Sequence, residues 1–103
     1  MAYTIGIIGG TGREGKGLAY RWAKAGHHII IGSRSEEKAQ AAVAELIAKW
    51  PEGITIEGCL NQEAVERADI AAITVPFAAH AETLTALKPV LEGKVLIDVV
   101  VPL

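Results

Sequence analysis

The sequence predicts an α/β fold, a doubly wound parallel sheet with expected strand order 3-2-1-4-5. Three observations lead there. Strand-like and helix-like stretches alternate along the whole chain. The strand-like stretches are continuous apolar runs rather than in-out alternations, the mark of a parallel sheet covered by helices on both faces. A glycine-rich turn, "GGTGREGKG", joins the first strand to the first helix. With right-handed crossovers, the doubly wound sheet is the simplest arrangement of such a chain.

Each element has a local reason. "AYTIGIIG" (2–9) is rich in β-formers and ends in glycines. Residues 13–25 follow, with Leu18, Ala19, Trp22, Ala23 and Ala25 at helical spacing and Gly26 to close the turn. "HHIIIGS" (27–33) forms the second strand, and "SEEKAQAAVAELIAKW" (35–50) the second helix. That helix is rich in alanine, with glutamates at its start, Lys49 in its last turn and Pro51 to stop it. "ITIEG" (54–58) is the third strand, and "NQEAVERA" (61–68) a short helix with Asn61 as its expected N-cap. "DIAAITVP" (69–76) is the fourth strand. "FAAHAETLTALKPVL" (77–91) is the fourth helix, in which Pro89 is a candidate break. "KVLIDVVVPL" (94–103) is the fifth strand.

The bulk properties narrow the classes. One small domain fits in 103 residues, half of them hydrophobic, so a packed core is expected. The net charge is −2 and no run of Lys or Arg occurs, which argues against nucleic acid and anionic membrane as partners. The apolar runs fall well short of the ~20 residues that a membrane span needs. Cys59 stands alone, so it forms no internal disulfide and suits a reducing cytoplasm. No metal-ligand cluster and no Ser-His-Asp grouping stands out. A homodimer is compatible with this composition.

The glycine turn carries the functional signal. Gly10, Gly12 and Gly15 have the spacing G-x-G-x-x-G, between a strand and a helix of a βαβ unit. This is the dinucleotide-binding fingerprint of the Rossmann-type fold. Gly10 is expected to permit the tight turn, Gly12 to let the backbone approach a diphosphate, and Gly15 to let the helix pack closely. The helix N-terminus offers unpaired N–H groups and partial positive charge to the phosphates. The plainer alternative is a glycine turn without a ligand. Gly17 stands where a nucleoside-triphosphatase loop needs Ser or Thr, which weakens that reading.

The end of the second strand discriminates between nucleotides. An NAD site wants a carboxylate there for the ribose 2′-hydroxyl. This chain has Gly32-Ser33-Arg34 instead. Arg34 offers a planar fork to a 2′-phosphate, Ser33 a hydroxyl, and Lys38 further positive charge; Thr11 lies near the same corner. The plainer alternatives are that Ser33 or Ser35 caps the second helix, with Ser33 and Glu36 as a capping box, and that Arg34 and Lys38 are surface charges. We expect NADP(H).

The stretch "GGTGREGKGLAYRWAKAGHHIIIGSRSEEKA" resembles the first half of the NADPH-dependent reductases of the deazaflavin coenzyme F420. "ITVP" and "VPL" support the likeness, which covers essentially the whole chain. Pyrroline-5-carboxylate reductases and the reductase domains of some membrane metalloreductases resemble it more distantly. The family likeness implies that Thr11, Ser33, Arg34 and Lys38 hold the 2′-phosphate of NADP. It also implies that the loop from Gly10 through Arg13 to Gly15 holds the diphosphate, and that Val75 and Pro76 border the nicotinamide side of the cleft. It implies coenzyme F420 as the second substrate and hydride transfer as the chemistry. Such enzymes are about twice this length, so a truncation before a further domain is expected. Glu14 departs from what a diphosphate favours, since a carboxylate beside it would be mildly unfavourable unless it points to solvent.

Hydride transfer between cofactors depends on positioning and on exclusion of water more than on an acid or base. No catalytic side chain is assigned. His27 and His28 are expected at the solvent-facing turn before the second strand. His80 could line the cleft or be an ordinary helix residue, and Asp98 could reach the cleft or sit in a partly exposed strand. Two other functions stay open: a reductase of imines or other small substrates on the same fold, and an NADP-sensing module without turnover.

Overall fold

A computed structural model describes residues 2–49, 54–75 and 77–99. Its element order is β1 (Thr4–Ile8), α1 (Arg13–Lys24), β2 (His28–Ser33), α2 (Glu36–Lys49), β3 (Thr55–Leu60), α3 (Asn61–Arg67), β4 (Ile70–Ile73), α4 (Phe77–Leu91) and β5 (Val95–Asp98). The strands form one parallel sheet in the order β3-β2-β1-β4-β5, as the sequence predicts. The outer parts of the predicted fifth strand, residues 100–103, lie outside the described residues.

The isoleucines of the central strands divide between two faces because side chains alternate along a strand. Ile5, Ile7, Ile29 and Ile31 pack with Ala19, Ala23, Ala42, Val43 and Leu46 of α1 and α2. Ile8 and Ile73 pack with Val65 and Leu87 of α3 and α4, and Ile30 packs with Cys59 and Ala64. Fully buried isoleucines of this kind contribute about 1.5–3 kcal/mol each over exposure. Gly6 sits on the second face because α3 presses there: a Cβ at Gly6 would lie 2.7 Å from the Ala64 carbonyl oxygen.

Three expectations need correction. The helical cover does not extend to β5, where Val95, Leu96, Ile97 and Asp98 are all exposed. The continuous apolar run predicted burial, but no described helix lies over this strand closely enough to provide it. α4 is not broken at Pro89 and continues to Leu91. Pro89 forfeits its own helical N–H bond, but only Val90 and Leu91 follow it in the helix, so little of α4 depends on continuing past it. Asn61 is not the cap of α3. Leu60 takes that place without a side-chain hydrogen bond, and Asn61 is the first helical residue.

The two histidines at the start of β2 lie at the amino edge of the sheet, as expected, but they are half-buried rather than solvent-facing. His27 Nδ1 accepts the Tyr3 N–H at 3.0 Å. His28 Nε2 lies against the Glu57 carboxylate, which also takes the Arg67 guanidinium at 2.8 and 2.9 Å.

Candidate functional site

Parallel pairing brings all strand ends of one sense to one edge. Ile7 lies opposite Ile31 and Ile8 opposite Ile73, so the exits of β1, β2 and β4 stand side by side. β1 leads into one wall of the sheet and β4 into the other, which opens a crevice between them. Every predicted site residue within the described region lies at this edge.

The turn out of β1 is made by Gly9, with φ +71°, rather than by Gly10. A side chain at Gly9 would be strained by that angle and would also meet Val75 Cγ1 at 2.6 Å. Gly10 is needed for a different reason. It is buried, its N–H donates to the Gly32 carbonyl at 2.9 Å, and α1 rests on it. A Cβ at Gly15 would stand 2.6 Å from the Gly10 Cα. The third glycine therefore lets the helix touch the loop itself.

Gly12 is the N-cap of α1, with extended backbone and no side-chain cap. Its carbonyl accepts the Lys16 N–H at 2.9 Å. The N–H groups of the first turn, Arg13, Glu14 and Gly15, precede the first helical hydrogen bond. A Cβ on Gly12 would meet nothing within 4 Å. The loop is thus an open cradle, lined by backbone N–H groups and the positive end of a helix, which fits a diphosphate. Thr11 is half-buried within it, and the side chains of Arg13 and Glu14 are exposed.

At the tip of β2, Ser33 is 6% exposed. Its Oγ accepts the Ser35 N–H at 3.2 Å, which leaves the hydroxyl hydrogen to donate elsewhere. Ser35, not Ser33, caps α2: its Oγ accepts the Lys38 N–H at 3.3 Å and its carbonyl the Ala39 N–H at 3.1 Å. The capping box of Ser33 with Glu36 is absent. Arg34 and Lys38 are exposed, and among the described residues neither side chain has an ion pair. Two cations and one hydroxyl therefore stand where an NAD site would carry a carboxylate.

The opposite side of the crevice starts at β4. Thr74 is 8% exposed, and its Oγ1 donates to the carbonyls of Ile8 at 3.0 Å and Gly9 at 3.2 Å. Val75 packs on Gly9. Pro76, the expected neighbour of the nicotinamide, lies outside the described residues. The sequence reading missed Thr74 and Asn61. Asn61 Oδ1 accepts the Gly9 N–H at 3.1 Å. A polar residue at the exit of a buried strand was the available signal for Thr74.

His80 and Asp98 form a pair. His80 Nε2 lies 2.9 Å from both carboxylate oxygens of Asp98, at the ends of α4 and β5 nearest this edge. The exposed-strand explanation of Asp98 holds, and its carboxylate ties β5 to α4. Among the described residues no group of His, Cys, Asp or Glu could hold a metal ion, and no helix is long and apolar enough to cross a membrane.

The comparisons with known proteins agree with this geometry. The family model described as "NADP oxidoreductase coenzyme F420-dependent" matches residues 4–102. An F420-dependent NADP reductase of Methanothermobacter marburgensis is 44% identical over 100 residues, which are 96% of this chain and 45% of that protein. That of Methanocaldococcus jannaschii is 38% identical over 102 residues, again 45% of its length. A crystal structure from Arthrobacter sp. FB24, assigned as an F420-dependent NADP reductase, superposes with a TM-score of 0.76 at 28% identity, covering 95% of this chain and 45% of that one. The chain thus spans less than half the length of the curated relatives it matches. With the dinucleotide crevice and the family match over nearly its whole length, this chain belongs to the coenzyme F420-dependent NADP oxidoreductase family.

Proposed function

We propose that this chain is the NADP(H)-holding part of an F420-dependent NADP reductase, an enzyme that moves hydride between NADPH and C5 of the deazaflavin. The observation that carries the reading is the open cradle at Gly12 next to a β2 tip with Ser33, Arg34 and Lys38 and no carboxylate. In this reading the first-turn N–H groups of α1 and the loop from Gly10 to Gly15 hold the diphosphate. The Arg34 guanidinium takes two oxygens of the 2′-phosphate, the Ser33 hydroxyl donates to a third, and Lys38 and Thr11 complete that corner. Val75 and Pro76 border the nicotinamide and keep water from one side of it. When bound, NADPH supplies the hydride, so the chain's own work is to orient and to exclude water. As part of this reading the protein works in the cytoplasm on small-molecule partners.

A second wall must hold the deazaflavin against the nicotinamide. The exposed strand β5 pairs with β4 on the side away from β1, and the relatives carry more than twice the matched length. We therefore expect residues beyond this domain to supply that wall. Residues 1–103 alone should show negligible F420 reduction, followed as loss of NADPH absorbance, and a form of relative-like length should show turnover. Equal turnover per site in both forms would overturn the missing wall.

The central experiment is a calorimetric titration with NADPH and NADH. NADPH should bind at least about tenfold more tightly, ~1.4 kcal/mol. Arg34→Ala should weaken NADPH by about 1.5–3 kcal/mol, the range for hydrogen bonds to a charged group, and leave NADH almost unchanged. Equal affinities in the parent would sink the NADP assignment. An equal loss for both cofactors in the variant would make Arg34 a support of the fold.

A further inference from the structure

Two parts of the proposed dinucleotide site, the glycine loop and the tip of β2, follow different strands, and their relative position decides whether one dinucleotide can reach both. A single side chain from the other face of the sheet touches both. Asn61 is the first residue of α3, which follows directly on β3 and packs on the face opposite α1 and α2. We propose that Asn61 is a positioning residue for the dinucleotide site, whose amide locks the start of the glycine loop to the tip of β2. The proposal rests on the NADP(H) reading given above.

Four contacts carry it. Asn61 Oδ1 accepts the N–H of Gly9, the residue at which the chain turns off the sheet with φ +71°. The Gly9 carbonyl accepts the Thr74 hydroxyl, so both polar groups of this residue are fixed by side chains rather than by the sheet. On the β2 side, Asn61 is pressed against Gly32. A Cβ there would lie 2.7 Å from Asn61 Oδ1 and 3.1 Å from its Cα. Finally, Gly32 holds the next loop residue through its carbonyl and the Gly10 N–H. Gly9, Gly10, Gly32 and Asn61 close a ring of contacts, with Thr11 and Gly12 directly after it on one side and Ser33 and Arg34 on the other.

The chemistry of the amide suits this task. An acceptor is required for a half-buried N–H that the parallel ladder does not use. A carboxylate would accept equally well but would set a negative charge beneath an anionic ligand. A neutral amide meets both conditions. Leucine has the same branching at Cγ and no acceptor, so Asn61→Leu removes the bond; its greater bulk also crowds Gly32, and Asn61→Asp separates the two effects because it keeps the size and the acceptor.

The test has two readouts. The first needs no ligand: amide hydrogen exchange of Gly9, followed by NMR. In the parent the Gly9 N–H should be protected; Asn61→Leu should abolish the protection, and Asn61→Asp should restore it. The second is calorimetric titration with NADP+. Asn61→Leu should bind about tenfold more weakly, the scale of one lost hydrogen bond at an ordered loop. A Gly9 amide that exchanges freely in the folded parent overturns the proposal, whether or not any variant folds. So does an Asn61→Leu protein that binds NADP+ within twofold of the parent. A parent that binds no NADP+ refutes the functional reading instead, while the exchange data still decide whether Asn61 frames the loop.

Discussion

The two edge strands of the sheet invert what their composition suggests. β5 reads Val-Leu-Ile-Asp, and every residue of it is exposed, Val95 at 61% and Ile97 at 37%. β3 reads Thr-Ile-Glu-Gly-Cys-Leu, a mixed strand, yet Ile56 and Cys59 are buried at 7% and 4%. The difference lies in the neighbours. α2 presses on β3 so closely that a Cβ at Gly58 would lie 2.8 Å from the Ala39 carbonyl oxygen, and Ala64 of α3 covers Cys59 from the other side. The β3 edge is also fastened by charge, since Glu57 joins Arg67 and His28. Among the described residues, β5 carries one side-chain ion pair, Asp98 with His80, and Lys94 just before it donates to the Glu66 and Ala68 carbonyls. A strand's hydropathy states what it would gain from cover, whereas the crossovers decide whether cover arrives.

Truncating one isoleucine on each edge gives the largest expected contrast. Ile56→Ala should destabilise the chain by about 2–4 kcal/mol, as large-to-small changes in a packed core do. Ile97→Ala should cost less than about 1 kcal/mol, because its side chain already meets water. Urea unfolding of both variants measures this. A large loss at Ile97 would mean that β5 is covered in solution.

The glycines divide in the same way between packed and open positions. Gly15→Val pushes against the Gly10 backbone and should cost about 1–3 kcal/mol or more. Gly12→Val points into open space, so it should fold with parent-like circular dichroism and lose NADPH binding. A folded Gly12→Val protein that bound NADPH as the parent does would move the diphosphate away from this loop.

The covered edge should also respond to alkaline pH through its thiol. Burial, followed by the nearby Glu63, pushes Cys59 up to about 11 from 9.0. The folded state favours the neutral thiol, so this contribution is complete below pH 9 and is lost as pH rises through about 11. Parent and Cys59→Ala should therefore converge in stability as pH rises across that window, with iodoacetamide reacting slowly at pH 8 until the chain unfolds. Fast alkylation of the folded protein would contradict the burial.

The smallest effect is expected at Glu57. Hydrogen bonding to Arg67, and less so to His28, holds its carboxyl below the usual 4.5. A depressed carboxyl stabilises the fold above its ordinary range and loses that contribution as pH falls through the lower folded value. Because the pair is half-exposed, Glu57→Gln should cost less than about 1 kcal/mol at pH 7 and should flatten the acid limb of the stability profile. An unchanged acid limb would leave the pair without energetic weight.

Much of this protein was determined by its sequence alone. The alternation of apolar runs with helical spacing specified the element order and the strand order, because parallel strands need crossovers and crossovers have one hand. The glycine spacing and the Ser33-Arg34 pair pointed to the edge where the exits of β1 and β2 stand side by side and where we propose the phosphate corner, since a glycine loop and a missing carboxylate are both visible as residue types. Other features depended on distances between segments remote in sequence. That Gly9 rather than Gly10 makes the turn follows from a backbone angle. Asn61 looked like a helix cap because capping is local, and it became a loop anchor only when α3 folded back over Gly9, 52 residues earlier. His80 met Asp98 by the same route, across 18 residues. β5 is exposed because no described helix covers it, and cover is a property of the assembled layers rather than of the strand. Periodicity and residue chemistry act over a few residues and are written in the chain; tertiary contact joins residues whose separation no local pattern encodes.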